Sequence, residues 1–217
     1  MFQPAIGPER VLWIILIALV ACYLLGSFVN RRLGQGIGRW LQVGLGKLGG
    51  RPAWQIKHSA GASARVTISG AAAPFRDVEI TYALLTRELP PLWGYEVLTG
   101  RSDTLAIRAV LNGQPAGEIE VLPLNGPLRR KLDQAAAGAQ WSWQAGPAGL
   151  GLATRGMPDS RLVAAVLRFL QGYGPHVQRL SLRARRPHLV VFLRIDRLRG
   201  APAAGLFQAL RDLGKMA

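Results

Sequence analysis

The 217-residue chain has a single cysteine, Cys22, and three separated histidines, His58, His176 and His188. It therefore has no internal disulfide and no Cys/His set at structural-zinc spacing. Acid is scarce as well: 12 Asp and Glu stand against 27 Lys and Arg, for a formal charge of +15. Only four of the cations are lysines: Lys47, Lys57, Lys131 and Lys215. Half the chain is hydrophobic (49%) and only 18% is charged, which excludes a disordered polyelectrolyte and indicates a folding chain. No HExxH, GxSxG or Walker pattern occurs, so no local motif names a catalytic activity, cofactor or metal.

Long apolar runs are present once. Val11 to Val29 holds nineteen residues without a charge, and only Gly26 and Ser27 lie outside the hydrophobic set. As a helix this stretch measures about 28 Å, near the hydrocarbon thickness of a bilayer at about 30 Å. A soluble core helix would carry a polar stripe, and none is visible, so the run reads as one transmembrane helix, 11–29, after a short tail, 1–10. Glu9 and Arg10 cancel before the span, whereas Arg31, Arg32, Arg39 and Lys47 follow it with no acid before Asp77. Positive charge on the inner side then puts the C-terminal part in the cytoplasm, at the plasma (inner) membrane. Leu19-Val20-Ala21-Cys22 resembles a lipoprotein cleavage box, which would instead anchor an extracytoplasmic domain at Cys22; against it, the apolar run continues through Tyr23-Leu24-Leu25.

Residues 30–51 form a basic, glycine-rich juxtamembrane segment. Leu33, Ile37, Trp40, Leu41, Leu45 and Leu48 recur at helical spacing. With Arg31, Arg32, Arg39, Lys47 and Trp40 the segment is suited to the headgroup layer of a bilayer. Its seven glycines require a membrane or protein contact to hold a helix. Gly34 to Arg39 fits neither GxGxxG nor GxxxxGK[ST], so no phosphate loop is inferred.

From residue 52 to 217 the period becomes two. Strands are expected at 64–68, 78–84, 104–111, 118–122, 140–144 and 149–155. Tyr95 to Leu98 is read as a strand forming a hairpin with 104–111 about Thr99–Asp103, and Asn112-Gly113 as the turn into 118–122. Helices are expected over 127–137, from Asp159-Ser160 to Gly172, and over 203–215. A second hairpin joins Val177–Arg185 to His188–Ile195. The fold class is α+β: one transmembrane helix and a mainly antiparallel β domain with at least two packed helices. Candidate subregions are 52–126 and 138–217.

The acids offer little convergent chemistry. Glu118 and Glu120 share a strand face at i, i+2, but a hard cation needs more oxygens than two. The three histidines read as surface residues and Asp103 as a turn residue bonding its own backbone. Trp141 and Trp143 share a strand side, where aromatics are usually core. The unusual surface is the second hairpin, where Arg179, Arg183, Arg185 and Arg186 are followed by Arg194, Arg197 and Arg199, with Asp196 the only acid among them. Guanidinium groups on a strand face bind phosphate or carboxylate oxygens in pairs, so Arg179, Arg183, Arg185, Arg186 and Arg194 are the candidate site for anionic lipid headgroups or an acidic protein surface. Nucleic acid is disfavoured because no aromatics interleave with these arginines. The expected function is a noncatalytic, membrane-tethered interaction module, an accessory or assembly subunit beside other membrane subunits. The rival is a membrane-anchored enzyme whose site is assembled from dispersed acids such as Glu79, Glu96, Glu118 and Glu120.

Overall fold

The computed structural model describes residues 7–56, 62–125, 141–157, 159–198 and 200–217. His58, Arg199 and the helix expected over 127–137 lie outside them, as does the junction between the candidate subregions.

The apolar run and the juxtamembrane segment form one uninterrupted helix, α1 (Pro8–Leu45), of 38 residues. Pro8 sits in its first turn, where the absent N–H is not needed. The two halves meet different surroundings. From Val11 to Leu25 every residue but Cys22 is exposed, while Ile37, Leu41 and Leu45, followed by Leu48, are buried in the protein core. The first half is long and apolar enough to cross a membrane. The second half continues the same helix and turns its apolar stripe to the protein, and that packing holds a glycine-rich helix that would be weak alone. Trp40, expected among lipid headgroups, is half-buried; its Nε1–H donates to the Ala201 carbonyl at 2.8 Å and its ring lies 6.2 Å from that of Phe207.

Nine antiparallel strands follow: β1 (Arg51–Ile56), β2 (Ser63–Ser69), β3 (Phe75–Ala83), β4 (Thr104–Leu111), β5 (Glu118–Pro123), β6 (Trp141–Ala145), β7 (Leu150–Arg155), β8 (Val177–Leu182) and β9 (Leu189–Arg194). They form one sheet in the order β1-β2-β3-β4-β9-β8-β5-β7-β6. Strand alternation puts Val66, Ile80, Ile107, Val191, Leu180, Val121 and Leu152 on one face. α3 (Ser160–Tyr173) and α5 (Ala203–Met216) contribute Leu162, Val166, Phe169, Leu206, Phe207 and Leu210 to the same core cluster, with the one-turn helix α4 (Ile195–Leu198) between β9 and α5. Asp159 caps α3 by accepting from the Arg161 amide at 2.9 Å. α1 closes that layer by packing on α5. The approach is closest at Gly44, where a Cβ would lie 2.5 Å from the Phe207 ring and 2.7 Å from the Ala203 Cβ.

Two expected pairings fail. Residues 90–98 form a helix, α2 (Pro90–Leu98), opened by Pro90 and Pro91, and not a strand beside β4. β4 has only two edges, and β3 and β9 occupy them. For the same reason β5 does not turn back onto β4 after Asn112-Gly113; it lies between β8 and β7. The β8–β9 hairpin is present, with Leu182 opposite Leu189 and Arg183–His188 as the connection.

Candidate membrane-proximal and basic surfaces

The end of the apolar span is marked by a buried polar node. Asn30 has no exposed surface; its Nδ2 donates to the Leu85 carbonyl at 3.0 Å and to Glu88 Oε1 at 2.9 Å. Its Oδ1 accepts from Arg87 Nη1 at 3.0 Å. Arg87 also donates through Nη1 and Nη2 to the two Asp103 oxygens, at 3.0 and 2.8 Å, and Asp103 Oδ1 accepts from the Leu85 amide at 2.8 Å. Asp103 is thus the carboxylate of a bidentate ion pair and not a self-bonded turn residue, and the node ties the 85–103 loop to α1. An Asn directly after an apolar run was the one sequence sign of it.

That node sets a direction. α1 descends from Asn30 beside Leu85 and Asp103 to Leu45, and just past its end the Leu48 carbonyl accepts from the Ala72 amide at 2.7 Å. β4 runs the same way, from Thr104 next to Asp103 to Leu111, whose neighbour Asn112 donates to the Pro74 carbonyl at 3.0 Å. The end of the domain near Asn30 is therefore proximal to the span and the end near Leu48, Leu111 and Pro74 is distal. The two are separated by about 22 Å, from fifteen residues of α1 at about 1.5 Å each.

The basic residues fall at different heights on this axis. Arg31 and Arg32 lie within a turn of Asn30, Arg39 about 15 Å beyond Val29 along α1, and Lys47 past the end of α1. All four are exposed, and none forms an ion pair with a described residue. A cleft of about 630 Å³ opens between α1 and the sheet, lined by Arg32, Arg39, Trp40, Leu105, Ile195 and Leu198 among others, so two guanidinium groups meet an apolar wall there.

The five hairpin arginines stand at different heights and differ in their partners. Arg194 is proximal, opposite Thr104, and engaged with Asp196 through Nε at 3.3 Å and Nη2 at 2.9 Å. Burial pushes the Asp196 carboxyl up, but the hydrogen bond and charge of Arg194, with the Arg197 amide and charge, outweigh it and hold the group below the usual carboxylate range. Arg179 and Arg183 close on a partner that is distant in sequence. Glu120 of β5 has no exposed surface, and it accepts from Arg179 Nε at 3.2 Å, from Arg183 Nε at 2.7 Å, from Arg183 Nη2 and from the Ser181 hydroxyl. Asp196 is therefore not the only acid facing this group, as the local sequence had implied. Arg185 and Arg186 stand exposed at the distal β8–β9 connection, without a described ion-pair partner.

The dispersed acids are placed apart. Glu79 lies between Arg65 (3.5 Å) and Arg108 (3.0 Å), Glu96 faces Arg101 (3.5 Å), and Glu118 faces Arg155 (3.4 Å). Glu118 and Glu120 share a face of β5 but answer to different arginines, and no cluster of three or more His, Cys, Asp or Glu occurs among the described residues. His188 is not a surface residue: it is buried, and its Nδ1 accepts from the Leu111 amide at 3.1 Å, pinning the hairpin to β4. His176 is half-buried, and burial followed by the Arg197 charge lowers its pKa. Trp141 and Trp143 share one face of β6, half-buried.

No protein-family model matches this sequence, and comparison with curated proteins finds no match.

Proposed function

We propose that the protein is a noncatalytic, membrane-tethered interaction module, an accessory or assembly subunit whose C-terminal domain stands in the cytoplasm. The observation that carries this reading is the continuity of α1: one helix is an exposed apolar cylinder over its first half and a core element of the domain over its second. Such a helix couples the domain rigidly to a bilayer, with no flexible linker between them. The excess of cations after the span supports the cytoplasmic orientation.

Within this reading the basic residues divide by height. Screening at physiological ionic strength acts over about 8 Å, so Arg31 and Arg32 sense the headgroups whereas a tip about 22 Å away does not. Arg31 and Arg32 are the contacts for anionic lipid, while Arg39, about 15 Å beyond Val29, lines the cleft beside α1. Arg185 and Arg186 are the contact for an acidic surface on a neighbouring subunit. Arg179, Arg183 and Arg194 already have carboxylate partners and serve mainly to hold the sheet.

The test is purification in mild detergent of the full chain and of Arg185→Glu/Arg186→Glu. A partner chain recovered in fixed ratio with the parent, and lost from the double variant at unchanged thermal stability, is the expected result. An absent partner, or one retained undiminished by the variant, contradicts the reading. A pocket-directed enzymatic role would call for convergence of acids that the described residues do not show.

A further inference from the structure

We propose that α2 is a second membrane element, a short apolar helix that lies in the headgroup–acyl boundary beside α1. This rests on α1 crossing the bilayer.

The segment from Leu89 to Leu98 reads LPPLWGYEVL, with one charge. That charge is turned inward: Glu96 is 9% exposed, accepts from the Thr86 amide at 2.9 Å and faces Arg101. The apolar side chains point outward instead. Leu98 is 89% exposed, and Leu89, Leu92, Trp93, Tyr95 and Val97 are each 41% to 58% exposed. At about 100° per residue these positions surround most of the helix, so no polar face is left for water. A helix with its carboxylate inside and its aromatic and aliphatic groups outside is inverted for an aqueous surface and correct for an apolar one.

Its position says which apolar surface. The loop that carries α2 is bound to α1 at the end of the apolar run, through Asn30, and again one turn further in at Gly26. A Cβ on Gly26 would lie 2.2 Å from the Arg87 carbonyl oxygen, so Arg87 and Glu88 pass directly against the helix backbone, and only glycine admits them. The loop thus rises into the level of the span before α2 begins. At that level of α1 the span's own Leu25, Phe28 and Val29 are exposed, so both helices present apolar side chains there. Nine residues of helix measure about 14 Å, too short to cross a bilayer of about 30 Å, which leaves the interfacial plane. Trp93 and Tyr95 suit that depth.

The experiment uses the full chain with Cys22→Ser, carrying one new cysteine at a time, Leu98→Cys, Leu92→Cys or Ile17→Cys, labelled with an environment-sensitive fluorophore and reconstituted into phosphatidylcholine vesicles containing shallow or deep nitroxide lipids. The α2 labels are expected to show blue-shifted emission and greater loss of intensity with the shallow nitroxide. The Ile17 label is expected to lose more with the deep one. Water-like, unquenched emission at both α2 positions with a quenched Ile17 label overturns the inference and leaves the membrane tether standing. Shielded but unquenched α2 labels overturn it in favour of a protein neighbour, such as a second copy. Unquenched emission at all three positions defeats the tether itself, and the inference with it.

Discussion

A chain shortened to begin at Gly50 is expected to lose cooperative folding, whereas one beginning at Asn30 keeps it. Ile37, Leu41, Leu45 and Leu48 are at most 8% exposed, and all belong to the core cluster. Burying a side chain of this size contributes about 1.5–3 kcal/mol, so removing four forfeits about 6–12 kcal/mol as an upper figure. A domain is stable by only about 5–15 kcal/mol in total. The loss also uncovers Phe207, which is fully buried against Trp40 and Gly44. Urea unfolding followed by near-ultraviolet circular dichroism, in mild detergent for both chains, checks this. A cooperative transition at the same midpoint for the Gly50 chain would show that α1 is dispensable to the core. Any binding study of a chain without its span should therefore begin at Asn30.

The second large effect is expected at Glu120. This fully buried carboxylate accepts from Arg179, Arg183 and Ser181, whereas its arginine partners are 31% and 42% exposed at the side chain. Removing one partner of a buried pair typically costs about 3–5 kcal/mol. Because both arginines can regain water, Glu120→Gln is expected at the lower end, about 3 kcal/mol. Arg185→Ala and Arg186→Ala should each stay within about 0.5 kcal/mol, as exposed substitutions without partners do. Equilibrium unfolding of the three variants separates the roles: a Glu120→Gln midpoint indistinguishable from that of Arg186→Ala would mean that the clasp does not support the sheet.

What was legible in the sequence follows from what is local. Alternation marked β2, β3 and β4 within three residues at either end, because buried and less buried positions largely alternate there and the period of two is written in adjacent positions, while the bounds of β5 and β7, which are buried on both faces, came within one residue. The capping residue Asp159 and the apolar period marked α3, and the period alone marked α5. β1 escaped because Arg51–Ile56 is an edge strand exposed at every position, so no buried face patterns it. α2 escaped because tyrosine, valine and leucine suit a strand as well as a helix, and the pairings that deny it a strand partner come from β9, about ninety residues later. The stripe from Leu33 to Leu48 was visible, but the same stripe serves a bilayer surface or a protein core, and only α5 decides between them. The basic hairpin was likewise visible while its neutralising partner was not, since Glu120 reaches Arg179 across the sheet from 59 residues away. The cations had a local pattern, and their charge balance had a tertiary one.

The central claim, a domain held rigidly at the cytoplasmic face by the first half of α1, is tested most directly by protease protection of the full chain in right-side-out and inverted plasma (inner) membrane vesicles, read after an alkaline carbonate wash. The chain is expected to stay with the membrane through the wash, with the C-terminal domain cut only in inverted vesicles. Release by carbonate would contradict the tether, and cleavage confined to right-side-out vesicles would place the domain on the opposite side, as a lipid anchor at Cys22 requires.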